Sequence, residues 1–364
     1  MKVLQVISGN DNGGGAQHIL NLVKDNEIFN THLAIIGDGE FHKRLLREDL
    51  EFYKVNTALF NEDLVQLIDK ENYDIVNFHG PKAVYTYRMI KHKIKAIAVN
   101  TLHSDFRYDY FQKNYKNKLK TELYKYCLSS FKHYICVSDN LKILAQSRFK
   151  GNFYAISNGT DETLINKVSS KENVRKELEL DENEFVISIC ARLSEIKNHK
   201  SLITAFNEFS NLIDNVTLLI IVDGELEDEL KKEAKTDKIK FLGYKKNADD
   251  YINASDINAI VSFSEGGIPP LSIIEGFFLK KSCIISNFKG IDKILSNEIC
   301  YFTNPNSVEN IKDTLVKVYN EKYDLIRKGE LCYEDALNKF SVKIFRENYK
   351  RAYESIILSE NSKR

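Results

Sequence analysis

The chain carries no excess of charge of either sign, no paired-cysteine motif and no long apolar run. Lys+Arg and Asp+Glu each number 52, so nucleic acid, which selects a basic surface, is not expected as a partner. The six cysteines (127, 136, 190, 283, 300 and 332) are scattered with no C-x-x-C spacing. Several fall in apolar runs and read as buried thiols of a reducing compartment. No apolar segment is long enough to span a bilayer, and Met1 to Gly9 is too short and interrupted for a signal peptide. The expected location is the cytoplasm, with peripheral contact at the inner face of the cell membrane left open. Asp-x-Asp, zinc-like Cys/His spacing, G-x-S-x-G and a Walker A loop are all missing. No metal and no cofactor are therefore expected, and a nicotinamide enzyme is disfavoured because the dinucleotide glycine spacing is absent.

What is present is a globular pattern repeated twice. The 364 residues, 43% hydrophobic and 29% charged, suit two domains better than one. Short apolar runs predict strands at 2–7, 31–36, 51–55, 74–78, 95–102, 133–137 and 152–156. Further on they predict strands at 185–190, 216–222, 238–242, 257–262, 282–286 and 299–302. Amphipathic runs predict helices at 15–25, 61–71, 81–92, 111–130 and 139–147, then at 198–212, 225–235, 270–280 and 306–328, with a last one over 340–358. Strands spaced by helices of this length indicate βαβ units and parallel sheets. The expected fold class is α/β, with two Rossmann-like, doubly wound domains facing across a cleft. The first spans 1–160 and takes back the C-terminal helix (about 340–364), the second spans 161–339, and the polar stretch Asn158 to Asn173 is the linker.

Five features carry chemistry. Gly13-Gly14-Gly15 follows the first strand and opens a helix, where backbone N–H groups can approach a phosphate; its plain alternative is a flexible loop. Arg192 and Lys197 follow the first strand of the second domain and offer a forked and a point cation to a diphosphate. Glu265 and Glu275 flank a Gly- and Pro-rich turn ahead of a helix, and can accept hydrogen bonds from sugar or ribose hydroxyls. His79 and His103 each end a first-domain strand, although a lone His is more often structural. Residues 107–132 interleave Tyr108, Tyr110, Tyr124 and Tyr126 with Lys116, Lys118, Lys120 and Lys125, which suits either an anionic headgroup layer or an ordinary solvated helix.

In this order the motifs resemble the retaining glycosyltransferases of family 4, which have the GT-B fold. Asn12-Gly13-Gly14-Gly15-Ala16-Gln17 is similar to the family's glycine-rich first loop, and Ser157-Asn158-Gly159-Thr160-Asp161 to its hinge entry. Cys190-Ala191-Arg192-Leu193 with Lys197 resembles its diphosphate motif, Val222-Asp223-Gly224-Glu225 its Gly-x-Gly segment, and Glu265 to Glu275 its paired glutamates. The glutamates are spaced Glu265-x9-Glu275 rather than E-x7-E, with Gly267 in the strict register, and Cys190 stands where Gly is usual.

By that resemblance Arg192 and Lys197 would bind the diphosphate of a nucleotide-sugar donor, most commonly UDP-linked, and Glu275 its ribose. Glu265, Gly266 and Gly267 would meet the transferred sugar, and Gly14 and Gly15 the distal phosphate. His103 would face the donor sugar. Tyr244 and Ser272 join the donor set, and Asn12, His79 and His103 the acceptor side. The catalytic set would be Arg192, Lys197, Glu265 and His103. The implied activity is metal-independent, retaining hexosyl transfer to a glycan, lipid-linked or cell-surface polymer acceptor in bacterial envelope polysaccharide synthesis. Two other classes fit the same residues: a sugar-nucleotide epimerase of similar architecture, and a non-catalytic nucleotide-sugar-binding partner of another transferase.

Overall fold

The computed structural model describes residues 1–11, 13–58, 61–107, 115–263, 269–288 and 290–362. The chain divides into two compact units, Met1–Gly159 with Val342–Arg364, and Thr160–Ser341.

The first unit holds β1 (Lys2–Ser8), β2 (Asn30–Ile36), β3 (Tyr53–Val55), β4 (Ile75–His79), β5 (Ile97–Leu102), β6 (His133–Cys136) and β7 (Asn152–Ala155). They form one parallel sheet in the order β3-β2-β1-β4-β5-β6-β7. The second unit holds β8 (Phe185–Cys190), β9 (Val216–Ile221), β10 (Ile239–Gly243), β11 (Ile257–Ile260), β12 (Cys283–Ser286) and β13 (Cys300–Thr303), ordered β10-β9-β8-β11-β12-β13 and also parallel. Central strands such as β9 are buried at every residue, as parallel sheets covered on both faces require. In each unit the winding reverses beside the first strand, between β1 and β4 and between β8 and β11. A reversal of this kind opens a crevice at the strands' carboxyl ends, where α/β proteins bind ligands.

Local chemistry sets many helix starts. The side chains of Asn61, Ser138 and Ser307 accept from the N–H of Leu64, Leu141 and Asn310, capping Glu62–Glu71, Asp139–Arg148 and Val308–Asn320. The last helix, Val342–Asn361, packs on the first unit. Phe345, Tyr349, Ala352, Tyr353 and Ile356 recur at helical spacing and are buried with Val3, Leu22, Ile75, Val99 and Ile135. Arg346 donates to the carbonyls of Asn21 (2.8 Å) and Asp25 (3.0 Å), and also to that of Lys24, covering the carboxyl end of the helix Gly14–Val23.

Every expected strand is present. The helix expected over 306–328 is instead two, Val308–Asn320 and Leu325–Lys339, separated by a single turn at Lys322–Asp324. No Gly or Pro marks that break. Three short helices, Glu40–Arg47, Lys171–Glu177 and Ala248–Ala254, were not expected; the first does carry a helical signal, Phe41 and Leu45 buried four residues apart, while the other two are short and polar. The segment read as a linker belongs to the second unit from Thr160 onward, where Leu164, Ile165 and Val168 pack against its core.

Candidate active site

In the second unit, the loop after β8 is strapped to its neighbours by backbone bonds. Leu193 N–H donates to Asp223 O (3.0 Å), Leu226 N–H to Leu193 O (3.2 Å) and Phe263 N–H to Ile196 O (3.0 Å). Gly224 is required there, since a Cβ would stand 2.4 Å from Leu193 O. Asn198, left-handed at φ 56°, turns the chain into the helix His199–Ser210, and its Nδ2 donates to the carbonyls of Val261 (3.1 Å) and Pro305 (2.8 Å). That helix has no side-chain cap. Its first N–H groups and positive dipole end are thus set beside Lys197, an arrangement that attracts phosphate.

Arg192 is exposed and pairs with Glu225, Nη2 to Oε2 at 3.2 Å. Lys197 is half-buried at the end of the turn Glu195–Lys197. Glu275 is half-buried in the helix Leu271–Phe278. Burial drives the Cys190 thiol far up, and the charges of Glu275 and Asp249 add to this, so both carboxylates lie near the end of β8. Ser272 is buried one turn before Glu275, and its carbonyl accepts from Asn258 Nδ2 at 2.7 Å. Tyr244 stands exposed just past β10. Glu265, Gly266 and Gly267 lie outside the described residues, as does Asn12.

Two groups here escaped the sequence reading. Asp249, in the first turn of Ala248–Ala254, has its carboxyl pushed up to about 6 by burial and by the charge of Asp250. Asp250 itself accepts from Ser169 N–H (2.7 Å) and Ser169 Oγ (3.0 Å). His199 is buried, and burial together with the charge of Lys197 pushes it down to about 4, against a pull from the Ala191 carbonyl. The Asp249-Asp250 pair between the expected strands 238–242 and 257–262 was the available signal for Asp249, whereas nothing in the sequence marks His199 as buried.

In the first unit, Gly13 precedes the helix Gly14–Val23 and its N–H donates to Asp11 Oδ1 at 3.1 Å. Gly14 is exposed at the helix start. A Cβ on Gly15 would meet His103 Cδ2 at 3.5 Å and Asp11 Oδ2 at 3.6 Å, ordinary van der Waals contact, so both side chains stand beside this glycine. Burial raises the Asp11 carboxyl, opposed by the Gly13 and Ala16 amides.

His79 and His103 do meet: Nδ1 of His79 is 2.9 Å from Nε2 of His103. A third imidazole, His18, stands edge-on to His103 with ring centroids 4.6 Å apart. His18 Nδ1 is 2.8 Å from Asn158 Oδ1, and its Nε2 is 2.8 Å from the hydroxyl of Tyr349. Burial, with mutual repulsion, pushes His79 and His103 well below the ordinary histidine value, and burial pushes His18 down to about 4. The cluster is neutral at neutral pH. His18 and Asp11 were not anticipated, because a single sequence does not reveal which strand ends and helix starts converge.

Two family descriptions match consecutive stretches of the chain: Glycosyltransferase Family 4 over residues 40–164 and Glycosyl transferases group 1 over residues 170–331. The chain belongs to the group 1, family 4 glycosyltransferases. An Escherichia coli protein named UDP-Gal:alpha-D-GlcNAc-diphosphoundecaprenol alpha-1,3-galactosyltransferase is 28% identical over 311 residues, covering 77% of this chain and 74% of that one. Among solved structures, Anabaena HepE in complex with UDP and glucose superposes with a TM-score of 0.83 at 18% identity, over 98% of this chain and 100% of the other. A glycosyltransferase from Rickettsia africae gives 0.76 at 20% identity, over 98% of each chain. The glycosyltransferase thus has the GT-B fold. Among its described residues, no helix is long and apolar enough to cross a membrane.

Proposed function

We propose that this glycosyltransferase moves a hexose from a UDP-linked donor to a lipid-linked glycan at the cytoplasmic membrane face, with retention of anomeric configuration and without a metal. The observation that supports the reading is the loop after β8, which carries Arg192, paired with Glu225, and ends with Lys197 just before the uncapped helix His199–Ser210. Glycosyl transfer leaves negative charge on the departing diphosphate, and fixed donors aimed at that charge supply the largest stabilisation. A guanidinium, an ammonium and helix N–H groups would do this without a cation of another kind. Glu275, near the end of β8, suits the ribose hydroxyls as a hydrogen-bond acceptor.

The acceptor hydroxyl would attack on the face the diphosphate leaves, passing its proton to a phosphate oxygen, so no dedicated protein base is needed. The activity in the E. coli relative's name makes UDP-galactose and an N-acetylglucosamine-diphospho-lipid the first pair to try. The helix Tyr115–Leu128 supports a membrane-facing acceptor, since it exposes Lys116, Lys118, Lys120, Leu119, Leu123 and Tyr126 on its surface.

The test is incubation of the purified chain with UDP-hexoses and that acceptor, with and without chelator, followed by NMR of the anomeric proton of the product. Transfer with an α linkage from an α donor, undiminished by chelator, is expected. Inversion, strict metal dependence, or epimerisation of donor without transfer contradicts the proposal.

A further inference from the structure

The three imidazoles of the first unit differ in one respect. His18 and His79 have protein partners at both ring nitrogens, whereas among the described residues His103 has one at Nε2 only. Its Nδ1 is therefore the open end of a buried polar chain, on a half-buried side chain at the carboxyl end of β5 and beside Gly15 and Asp11.

The chain can be followed inward atom by atom. His79 Nε2 lies 2.9 Å from Gln5 Oε1. Gln5, fully buried on β1, directs its amide nitrogen to Thr31 Oγ1 and to the hydroxyl of Tyr353, each at 3.2 Å. That same hydroxyl takes Asn77 Nδ2 at 2.9 Å. In this orientation of the amide, Gln5 offers His79 an oxygen, which only accepts. His79 must therefore carry its proton on Nε2. In a neutral imidazole the other nitrogen is then a lone pair, so His79 Nδ1 accepts, and His103 donates to it from Nε2. Neutrality is what the depressed basicity of both rings supports. His103 Nδ1 is left unprotonated.

We propose that Gln5 and His79 are positioning residues that lock His103 in its Nε2–H tautomer, so that Nδ1 is presented as a hydrogen-bond acceptor for a ligand hydroxyl at the start of the helix Gly14–Val23. The inference deepens the transferase reading by assigning the chemistry of one contact: a hydroxyl donor is taken there and an anionic oxygen is refused. A lone pair facing a phosphate oxygen would be two acceptors in contact, and Asp11 nearby reinforces the exclusion.

The first test does not depend on any substrate. Long-range proton–nitrogen correlation spectra of histidine-labelled protein, with His103 assigned by loss of its signals in His103→Gln, read the tautomer directly. Protonated Nε2 and unprotonated Nδ1 on both His79 and His103 are expected. The reverse pattern, which would follow if the Gln5 amide were turned over, overturns the proposal. In Gln5→Met, which keeps side-chain volume but removes the acceptor, His103 should become a tautomer mixture; an unchanged single tautomer in a folded variant also overturns it.

A second readout is kinetic. His79→Gln retains an oxygen for His103 and should keep turnover within about threefold, while His79→Phe should lose about tenfold or more in kcat. Equal loss in both variants, with the wild-type tautomer as proposed, would reduce the relay to packing and overturn its positioning role. Failure of transfer altogether, with the tautomers as proposed, would count against the transferase substrates and leave the relay standing.

Discussion

Arg192 and Glu225 form an ion pair at the carboxyl edge of the second sheet, with Arg192 Nη2 3.2 Å from Glu225 Oε2. Both side chains are more than half exposed, at 70% and 54%. Such a pair contributes about 0.2 to 1 kcal/mol and weakens with salt. It holds the guanidinium at modest cost to release, as a group that must turn to a diphosphate would require. Glu225→Gln should therefore tighten UDP binding by up to about fivefold at low salt, since removing the competing carboxylate returns that energy to the ligand. Calorimetric titration of both proteins checks this, and unchanged or weaker binding in the variant contradicts it.

Glu275 offers a second test. A charged acceptor that meets ribose hydroxyls is worth about 1.5 to 3 kcal/mol, so Glu275→Ala should weaken UDP binding by about tenfold or more. Uridine diphosphate and its 2′,3′-dideoxy analogue separate the roles. The variant should bind both equally poorly, while the wild type should prefer the ribose form. A variant that keeps this preference places the ribose elsewhere.

Much of this was legible in the sequence. The central strands are near-continuous apolar runs because they are buried on both faces, as Val216 to Ile221 shows. The loop bearing Arg192 and Lys197 follows from its place after β8. What could not be read is convergence. His79 and His103 each looked like a lone histidine, and their contact with each other and with His18 depends on strand order, which periodicity does not encode. Asp249 lies in a short helix whose polar composition gave no period to detect, and its high basicity comes from tertiary burial. The division at Lys322–Asp324 lacks any Gly or Pro to announce it.

Acid should destabilise the fold through its buried histidines. His18 and His199 are held down to about 4 from an ordinary 6.5, chiefly by burial. The unfolded chain then binds the extra protons between those values, so stability is complete above about 6.5 and declines as pH falls toward 4. Each residue should account for about 2 kcal/mol of loss between about pH 7.5 and about pH 5. Denaturant titrations across that range check it. His18→Asn should flatten the slope by roughly one histidine's share, and a profile unaltered by the substitution contradicts the assignment.

Membrane contact through the helix Tyr115–Leu128 should be electrostatic in large part. Lys116→Glu, Lys118→Glu and Lys120→Glu together reverse three exposed charges, each worth about 1 kcal/mol at an anionic surface. Cosedimentation with vesicles containing phosphatidylglycerol should fall by about a hundredfold or more in partition coefficient, while transfer to a short-chain, water-soluble acceptor is preserved. Binding that survives the charge reversal assigns the contact to another surface.

The most direct test of the account is the turnover of Arg192→Ala and Lys197→Ala with donor and acceptor both saturating. If these two cations stabilise the departing diphosphate, each variant should lose about tenfold or more in kcat, a barrier increase of roughly 1.4 kcal/mol or greater, while keeping its melting temperature. Near-normal kcat in both folded variants would contradict it.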